Sequence, residues 1–349
     1  MPLTQLNFQP GLDTENTPTG AEGRWVDGDK IRFRKGLPQK IGGWTKFSAA
    51  YYVGVGRALE QWFALDGSRY EALGTDRKVY VYLSGDNQDI TPIRSTDALV
   101  NAISTTTSSN IITITDTSHG ALEGDFVTLS SVSTAVAGIP AATLDAEYEI
   151  LSISNANAYT IESSATANAN TGPTANCTAT YQLNIGPSVQ TFGYGWGAST
   201  WGASTWGTPR SSSSVILDTR LWSINNWGED LIITQKDGGT YEWDTSGGMT
   251  SNRATVVANA PTTSTLSLVS TETRHVVCLG TETTIGDDST FDKMFIRWSD
   301  QENYNEWTPN VTNSAGSQRI AGGSEIRCAR PAKGTILVWT DTTMQSMSF

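Results

Sequence analysis

The chain has 349 residues, 17% of them charged and 9% aromatic, with 23 Lys and Arg against 35 Asp and Glu for a formal net charge of −12. That is the composition of a folded protein, long enough for two domains or one large all-β domain, and the negative balance excludes a general binder of nucleic acid or anionic membrane. No leader-like basic and apolar run opens the sequence, and no apolar run approaches the ~20 residues of a spanning helix, so neither secretion nor membrane insertion is expected.

Residues 1–48 are expected to form an N-terminal arm with a basic strand. "AEGRWVDGDKIRFRKGLPQKIGGW" gathers Arg24, Lys30, Arg32, Arg34, Lys35 and Lys40 in an otherwise acidic chain. In "KIRFRKG", Ile31 and Phe33 alternate with Lys30, Arg32 and Arg34, which predicts a strand with one apolar and one basic face. Such charges discourage wrong pairing at a sheet edge. The same face also suits an acidic partner subunit, so Lys30, Arg32 and Arg34 are candidate interface residues.

Residues 49–96 and 181–349 carry a recurring pattern: a short apolar strand, a polar turn, and a return strand with an aromatic. It appears at Tyr70–Leu83, Asp230–Asp244 and Thr335–Phe349, and in degenerate form at Lys293–Pro309, with Trp298 before the turn and Trp307 after it. In "LIITQKDGGTYEW", Gly238 or Gly239 is expected to take the positive φ of a tight reversal. Repeating hairpins of this kind predict β-propeller blades, which bury their faces only against one another. At ~40–45 residues per blade there is room for about five or six, counting the arm.

Between them, residues 97–180 change character to Thr, Ser, Ala and Asn, with aromatics reduced to Phe126, Tyr148 and Tyr159. "NIITITDTS" and "AEYEILSIS" alternate as half-buried strands do. This predicts a small β-sandwich or barrel module, inserted at a blade loop and large enough to hold its own core. The fold class is therefore all-β: a β-propeller-like body with an inserted β module.

After the insert, "GYGWGASTWGASTWGTPR" places Trp196, Trp201 and Trp206 five residues apart, each followed by glycine. Five fits neither the strand nor the helix period. The pattern reads as a chain laid over a surface and pinned by aromatic anchors, either on the protein's own blades or against a neighbouring subunit. Stacking on sugars is a third option.

Catalytic signals are sparse. His119 sits at a strand-to-turn junction and His275 at the start of an apolar strand, both positions of structural histidines. Asp27 with Asp29, and Asp287 with Asp288, read as solvated turn carboxylates; neither pair has calcium-loop spacing. Cys177, Cys278 and Cys328 are too widely spaced for a zinc cluster and are expected as small buried hydrophobes. No cofactor, no metal and no enzymatic activity are expected.

Four stretches, "FQPGLDTENTPTGAEGRWVDGDKIRFRKGLPQKIGGW", "GWGASTWGASTWGTPR", "LWSINNWGEDLIITQKDGGTYEWD" and "MFIRWSDQENYNEWTPNVTNSAGSQRIAGGSEI", resemble the tail-nozzle or head-to-tail stabilisation proteins of short-tailed bacteriophages. The insert resembles a small β domain that recurs in phage tail proteins. The resemblance implies a propeller-bearing structural protein of the virion tail, assembled in the host cytoplasm as a homohexameric ring below the portal and adaptor rings. Such a connector extends the DNA conduit, retains packaged DNA until ejection, and supports tail fibres or spikes, while DNA passes without specific binding. The alternative is a receptor-binding, adhesin-like tail component that contacts host surface glycans. Against the family pattern, "MQSMSF" stops within a predicted return strand, where related proteins continue. A glycan hydrolase would need paired carboxylates at the mouth of the propeller axis.

Overall fold

The computed structural model describes residues 8–43, 45–184, 186, 219–249 and 252–348. The stretch with Trp196, Trp201 and Trp206 lies outside the described residues. Strand accounts for 48% and helix for 3%. The chain divides into two compact units, Met1–Ala49 and Ala50–Phe349.

The first unit holds two small ladders. β1 (Gln9–Leu12) pairs in parallel with β2 (Arg24–Trp25), and β3 (Ile31–Arg34) pairs antiparallel with β4 (Leu37–Lys40). Phe8 tilts against Trp25 with ring centroids 5.3 Å apart, and Asp13 takes the backbone and side chain of Asn16 at the intervening turn. Ala21 is the one hydrophobic residue described as buried here. The unit is held by local turns rather than a core.

In the second unit four small sheets are arranged as a four-bladed β-propeller. Blade 1 is the meander β5 (Gly56–Phe63), β6 (Arg69–Thr75), β7 (Val79–Leu83) and β8 (Asp86–Asp89). The eight strands of the insert follow: β9 (Ile93–Leu99), β10 (Ile103–Thr105), β11 (Ile111–Thr115), β12 (Phe126–Ser130), β13 (Glu147–Asn155), β14 (Ala158–Glu162), β15 (Thr171–Thr174) and β16 (Cys177–Gln182). A short helix, α1 (Ala141–Leu144), precedes β13. Blade 2 is β17 (Trp222–Trp227), β18 (Asp230–Gln235), β19 (Thr240–Trp243) and β20 (Thr255–Val256). Blade 3 is β21 (Ser264–Val269), β22 (Val276–Glu282), β23 (Phe291–Trp298) and β24 (Gly316–Arg319). Blade 4 has three strands, β25 (Ile326–Ala332), β26 (Thr335–Thr340) and β27 (Met344–Met347).

A blade in the middle of such a stack has neighbours on both faces, so its strands read as continuous apolar runs. In β18, Leu231 and Ile233 join the cluster shared with blade 1, while Ile232 joins the cluster shared with blade 3. In β22, Val276 and Cys278 face blade 2 and Val277 and Leu279 face blade 4. Period-two alternation thus sends every second side chain to a different interface, and each interface closes over its own apolar cluster. Tryptophan N–H groups stitch the seam between blades 1 and 2: Trp62 donates to the Glu229 carbonyl at 2.7 Å and Trp222 to the Thr75 carbonyl at 2.5 Å. Each ring buries its area without losing a hydrogen bond.

The insert's eight strands run in the order β15-β10-β11-β14-β13-β12-β16-β9. β13 pairs with β12 through its first residues and with β14 through its last, with register shifts between. The sheet's two halves therefore enclose one core, including Ile103, Ile112, Ile114, Val127, Leu129, Tyr159 and Tyr181. Tyr181 donates to Asp116 at 2.5 Å and lies 3.0 Å from the Tyr159 hydroxyl, so the core's polar groups are paired.

Several sequence expectations need correction. There are four blades rather than five or six, because the arm's strands form separate two-stranded ladders. At the β18–β19 turn the positive φ, 54°, belongs to Asp237 rather than to Gly238 or Gly239. Trp307 is not on a return strand. β23 pairs with β24, and Trp307 sits in the connection between them, fully buried in the blade 2–blade 3 cluster. Cys177 and Cys278 are buried, but Cys328 is exposed on β25.

Candidate functional site

The basic hairpin places its candidates as follows. Register pairs Ile31 with Lys40, Arg32 with Gln39, Phe33 with Pro38, and Arg34 with Leu37. Alternation puts Arg32, Arg34, Leu37 and Gln39 on one face and Ile31 and Phe33, both half-buried, on the other. Arg32 Nε donates to Gln39 Oε1 at 3.0 Å. Lys30 stands outside the strand at φ 54°, 3.7 Å from the Asp29 carboxylate in an exposed pair. The two arginines share a surface, and Lys30 belongs to the bend that introduces it.

In the propeller unit, the inner strands of all four blades line an axial cavity of about 460 Å³. It carries five Lys or Arg side chains against three Asp or Glu, an inverse of the chain's acidic balance. Glu325 takes Lys293 at 2.9 Å and also pairs with Arg327. Asp237 accepts from the Thr265 hydroxyl at 3.1 Å. Burial pushes the Glu60 carboxyl above its usual range, opposed by the charge of Arg330. An acid–base site needs a second group free to take or give a proton beside the first. Here, however, Glu325 is neutralised by its two cations, and both histidines lie elsewhere.

His119 is a buried structural residue of the insert: Nδ1 accepts from Ala121 N–H at 3.0 Å and Nε2 lies 3.1 Å from the Asn155 carbonyl. His275 lies 2.7 Å from the Thr273 hydroxyl and 3.0 Å from that of Ser314, and burial holds its pKa below the ordinary value against the pull of Asp300. Asp287 accepts from Ser289 at the start of a short 3-10 turn, Asp288 accepts from Thr262 and Thr263, and Asp27 accepts from Gly28 N–H. Among the described residues no group of three or more His, Cys, Asp or Glu is placed to hold a metal ion. Among the same residues no helix is long and apolar enough to cross a membrane.

Blade 1 has a free face that sequence reading missed. Ala58, Glu60 and Trp62 alternate with Leu59 and Phe63, which are 70% and 64% exposed, and Leu65 beyond them is 92% exposed. Farther out, Tyr80 and Tyr82 are buried, and the Tyr80 hydroxyl accepts from Val53 N–H at 3.0 Å, so the segment before β5 covers that part. Apolar clusters join blades 1 to 2, 2 to 3 and 3 to 4; no such cluster among the described residues joins blade 4 to blade 1. In isolation "RALEQWF" reads as an ordinary half-buried strand. Only the arrangement of blades shows that, among the described residues, its second apolar row lacks a cover.

No protein-family model and no curated protein matches the chain. Among solved structures, a phage phi92 endosialidase is similar at TM-score 0.25 and 11% identity, over 86% of this chain and 43% of that one. The chain thus spans less than half the length of that structure. A likeness this slight carries neither fold nor chemistry across.

Proposed function

We propose that this chain is a non-enzymatic structural subunit of a short-tailed phage tail, a nozzle or head-to-tail ring component. In that role it extends the DNA conduit, retains packaged DNA, meets the portal-adaptor ring and supports fibres or spikes. The observation that carries the reading is the apolar row on blade 1, Leu59, Phe63 and Leu65, exposed among the described residues. Exposed apolar patches of this kind mark protein contacts, and a propeller blade is a surface built for face-to-face packing. The sequence resemblance supplies the ring and its neighbours. The acidic balance of the chain favours passage of DNA without retention at phosphates.

The test is assembly. Mass photometry across nanomolar to micromolar concentration is expected to show a closed oligomer, with sixfold rings in cryo-EM images, and the Leu59→Ser/Phe63→Ser variant is expected to fall back to monomers. A chain that stays monomeric throughout that range would remove the reading. A second reading, a receptor-binding tail component, is favoured by the cationic axial cavity, whose lining suits a carboxylated glycan. Saturable binding of an acidic polysaccharide, lost on Arg330→Ala, would support it instead.

A further inference from the structure

The base of the insert gathers a lysine, two carboxylates and a guanidinium that the ring-subunit reading leaves unused. Lys78, in the turn between β6 and β7, has a side chain only 3% exposed. Its Nζ lies 2.9 Å from Asp89 Oδ2, 2.7 Å from Glu147 Oε2 and 4.2 Å from the centre of the Phe126 ring. Asp89 is the last residue of β8 and Glu147 the first of β13. Blade 1 therefore supplies the amine and one carboxyl, and the insert supplies the other.

The two oxygens of Asp89 have different neighbours. Oδ1 accepts from the Thr91 N–H at 2.9 Å and lies 3.1 Å from Arg253 Nη1. Oδ2 faces Lys78, with Gln182 Nε2 at 3.4 Å. Glu147 is held in turn: its Oε1 accepts from Gln182 Nε2 and lies 4.0 Å from Arg253 Nη2. One oxygen of Asp89 thus has the donors that stabilise an oxyanion. The other has a nitrogen beside it and, across that nitrogen, a second carboxylate placed to move protons. An ion pair needs only opposite charges, whereas acyl transfer needs this division of the oxygens.

We propose that Lys78 and Asp89 condense into an intramolecular amide that staples blade 1, with Glu147 carrying the proton. Transfer of a proton along the Nζ–Oδ2 contact gives an amine and a carboxylic acid, the neutral form of the pair that burial favours. The Nζ lone pair attacks Cγ, and negative charge grows on Oδ1 beside the Thr91 N–H and Arg253. Glu147 takes a proton from the nitrogen and passes it to the Oδ2 hydroxyl. The Nζ–Cγ bond stays, the Cγ–Oδ2 bond breaks, and Oδ2 leaves as water. Ammonium and carboxylate become an amide and one water, with no change of oxidation state, and Glu147 ends as it began. Its side chain is 36% exposed, which gives the water a way out. The ion pair is the reactant: a freshly folded chain carries it and converts in a slow first-order step, the two groups being held together rather than meeting by diffusion. β8 continues through residues 90–92 into β9, so tension on the insert reaches β8 first. The staple ties the end of β8 to the β6–β7 turn.

The test follows full-length chain by intact mass and tryptic mapping over time. Trypsin cuts unreacted chain after Arg77, Lys78 and Arg94, with no Lys or Arg between the last two. The amide removes the Lys78 charge, so the expected product is peptide 78–94, lighter by one water and without fragments from backbone cleavage between residues 78 and 89. Glu147→Gln keeps the Lys78–Asp89 contact and is expected to slow conversion about 10²–10⁴-fold, with an unchanged circular-dichroism spectrum showing that it folds. Lys78→Met is expected to keep its full mass. A wild-type chain that also keeps its full mass through prolonged incubation would overturn the inference. So would loss of water with Lys78 still cut, the mark of a succinimide elsewhere, or a link from Lys78 to Glu147. Conversion of Glu147→Gln at the wild-type rate would overturn the proton route. The bond lies within one chain, so none of these outcomes turns on assembly.

Discussion

Gly74 shows how one residue sets the distance between blades. It lies in β6 with no positive φ, so its lack of a side chain answers a packing need and not a backbone one. A Cβ there would sit 2.8 Å from Trp222 Cδ1, the ring that donates to the neighbouring Thr75 carbonyl. The blade 2 tryptophan packs directly against the blade 1 backbone at this glycine, and a side chain there would displace both the contact and the hydrogen bond. Gly74→Ala is expected to cost about 1–3 kcal/mol by overpacking, read as a lower urea midpoint with unchanged slope. Gly42→Ala is the control: it has open space around it and no positive φ, and the midpoint should hold. "EALGTDRK" shows a glycine before a turn and suggests the turn as its reason. The partner ring is almost 150 residues away, so the real reason has no local signal.

At the scale of elements, the turn between β6 and β7 ties the propeller to its insert through Lys78. Its side chain is 3% exposed, with Nζ 2.9 Å from Asp89, 2.7 Å from Glu147 on β13, and 4.2 Å from the Phe126 ring. Arg253, from the connection after blade 2's third strand, reaches Asp89 at 3.1 Å. Burial pushes the Asp89 carboxyl up, but Lys78, Arg253 and hydrogen bonding with Thr91 together hold it below its usual value. A carboxylate whose folded pKa is depressed stabilises the fold above the unfolded value near 3.9, and that contribution is lost as pH falls through the folded one. Thermal melts should therefore show an acid limb below about pH 4. Lys78→Met should lower stability by about 1–3 kcal/mol at pH 7, because Asp89 loses one of its two cations and keeps only Arg253, and it should flatten that limb. If the variant kept the wild-type pH profile, the cluster would not be the source. Hairpins 70–83, 230–244 and 335–349 are legible in the sequence because their partners are adjacent. The fourth is not, because the β23–β24 connection is long and Trp307 serves a different interface. The axial cavity and the Lys78 cluster escape reading for the same reason: each collects residues from several distant strands.

At the scale of the molecule, the all-β propeller is readable from alternation and turns, whereas blade number is not. The three central interfaces account for the double-sided apolar runs, but nothing in a strand's own pattern says how many neighbours complete the circle. The insert presents a separate question, whether it is a passenger or a brace. Its core cluster draws only on residues 99–181, and its first and last strands are neighbours in the sheet, with Ile93 paired to Gln182. Leu183 N–H donates to the Pro92 carbonyl at 3.0 Å, so the chain enters and leaves the insert at one point. A Gly-Gly bridge from Pro92 to Leu183 therefore spans the gap without strain. Its removal costs the propeller the contacts of Lys78 and Arg77 with Glu147 and Glu149, at 2.7 Å each, while Asp89 remains to pair Lys78. The expected outcome is a shortened chain that melts cooperatively a few degrees lower, and an isolated 92–183 fragment with its own cooperative melt. If the shortened chain expressed only as aggregate while the fragment folded, the insert would be a brace for blade 1, and the ion pairs at its base would be the place where the brace bears.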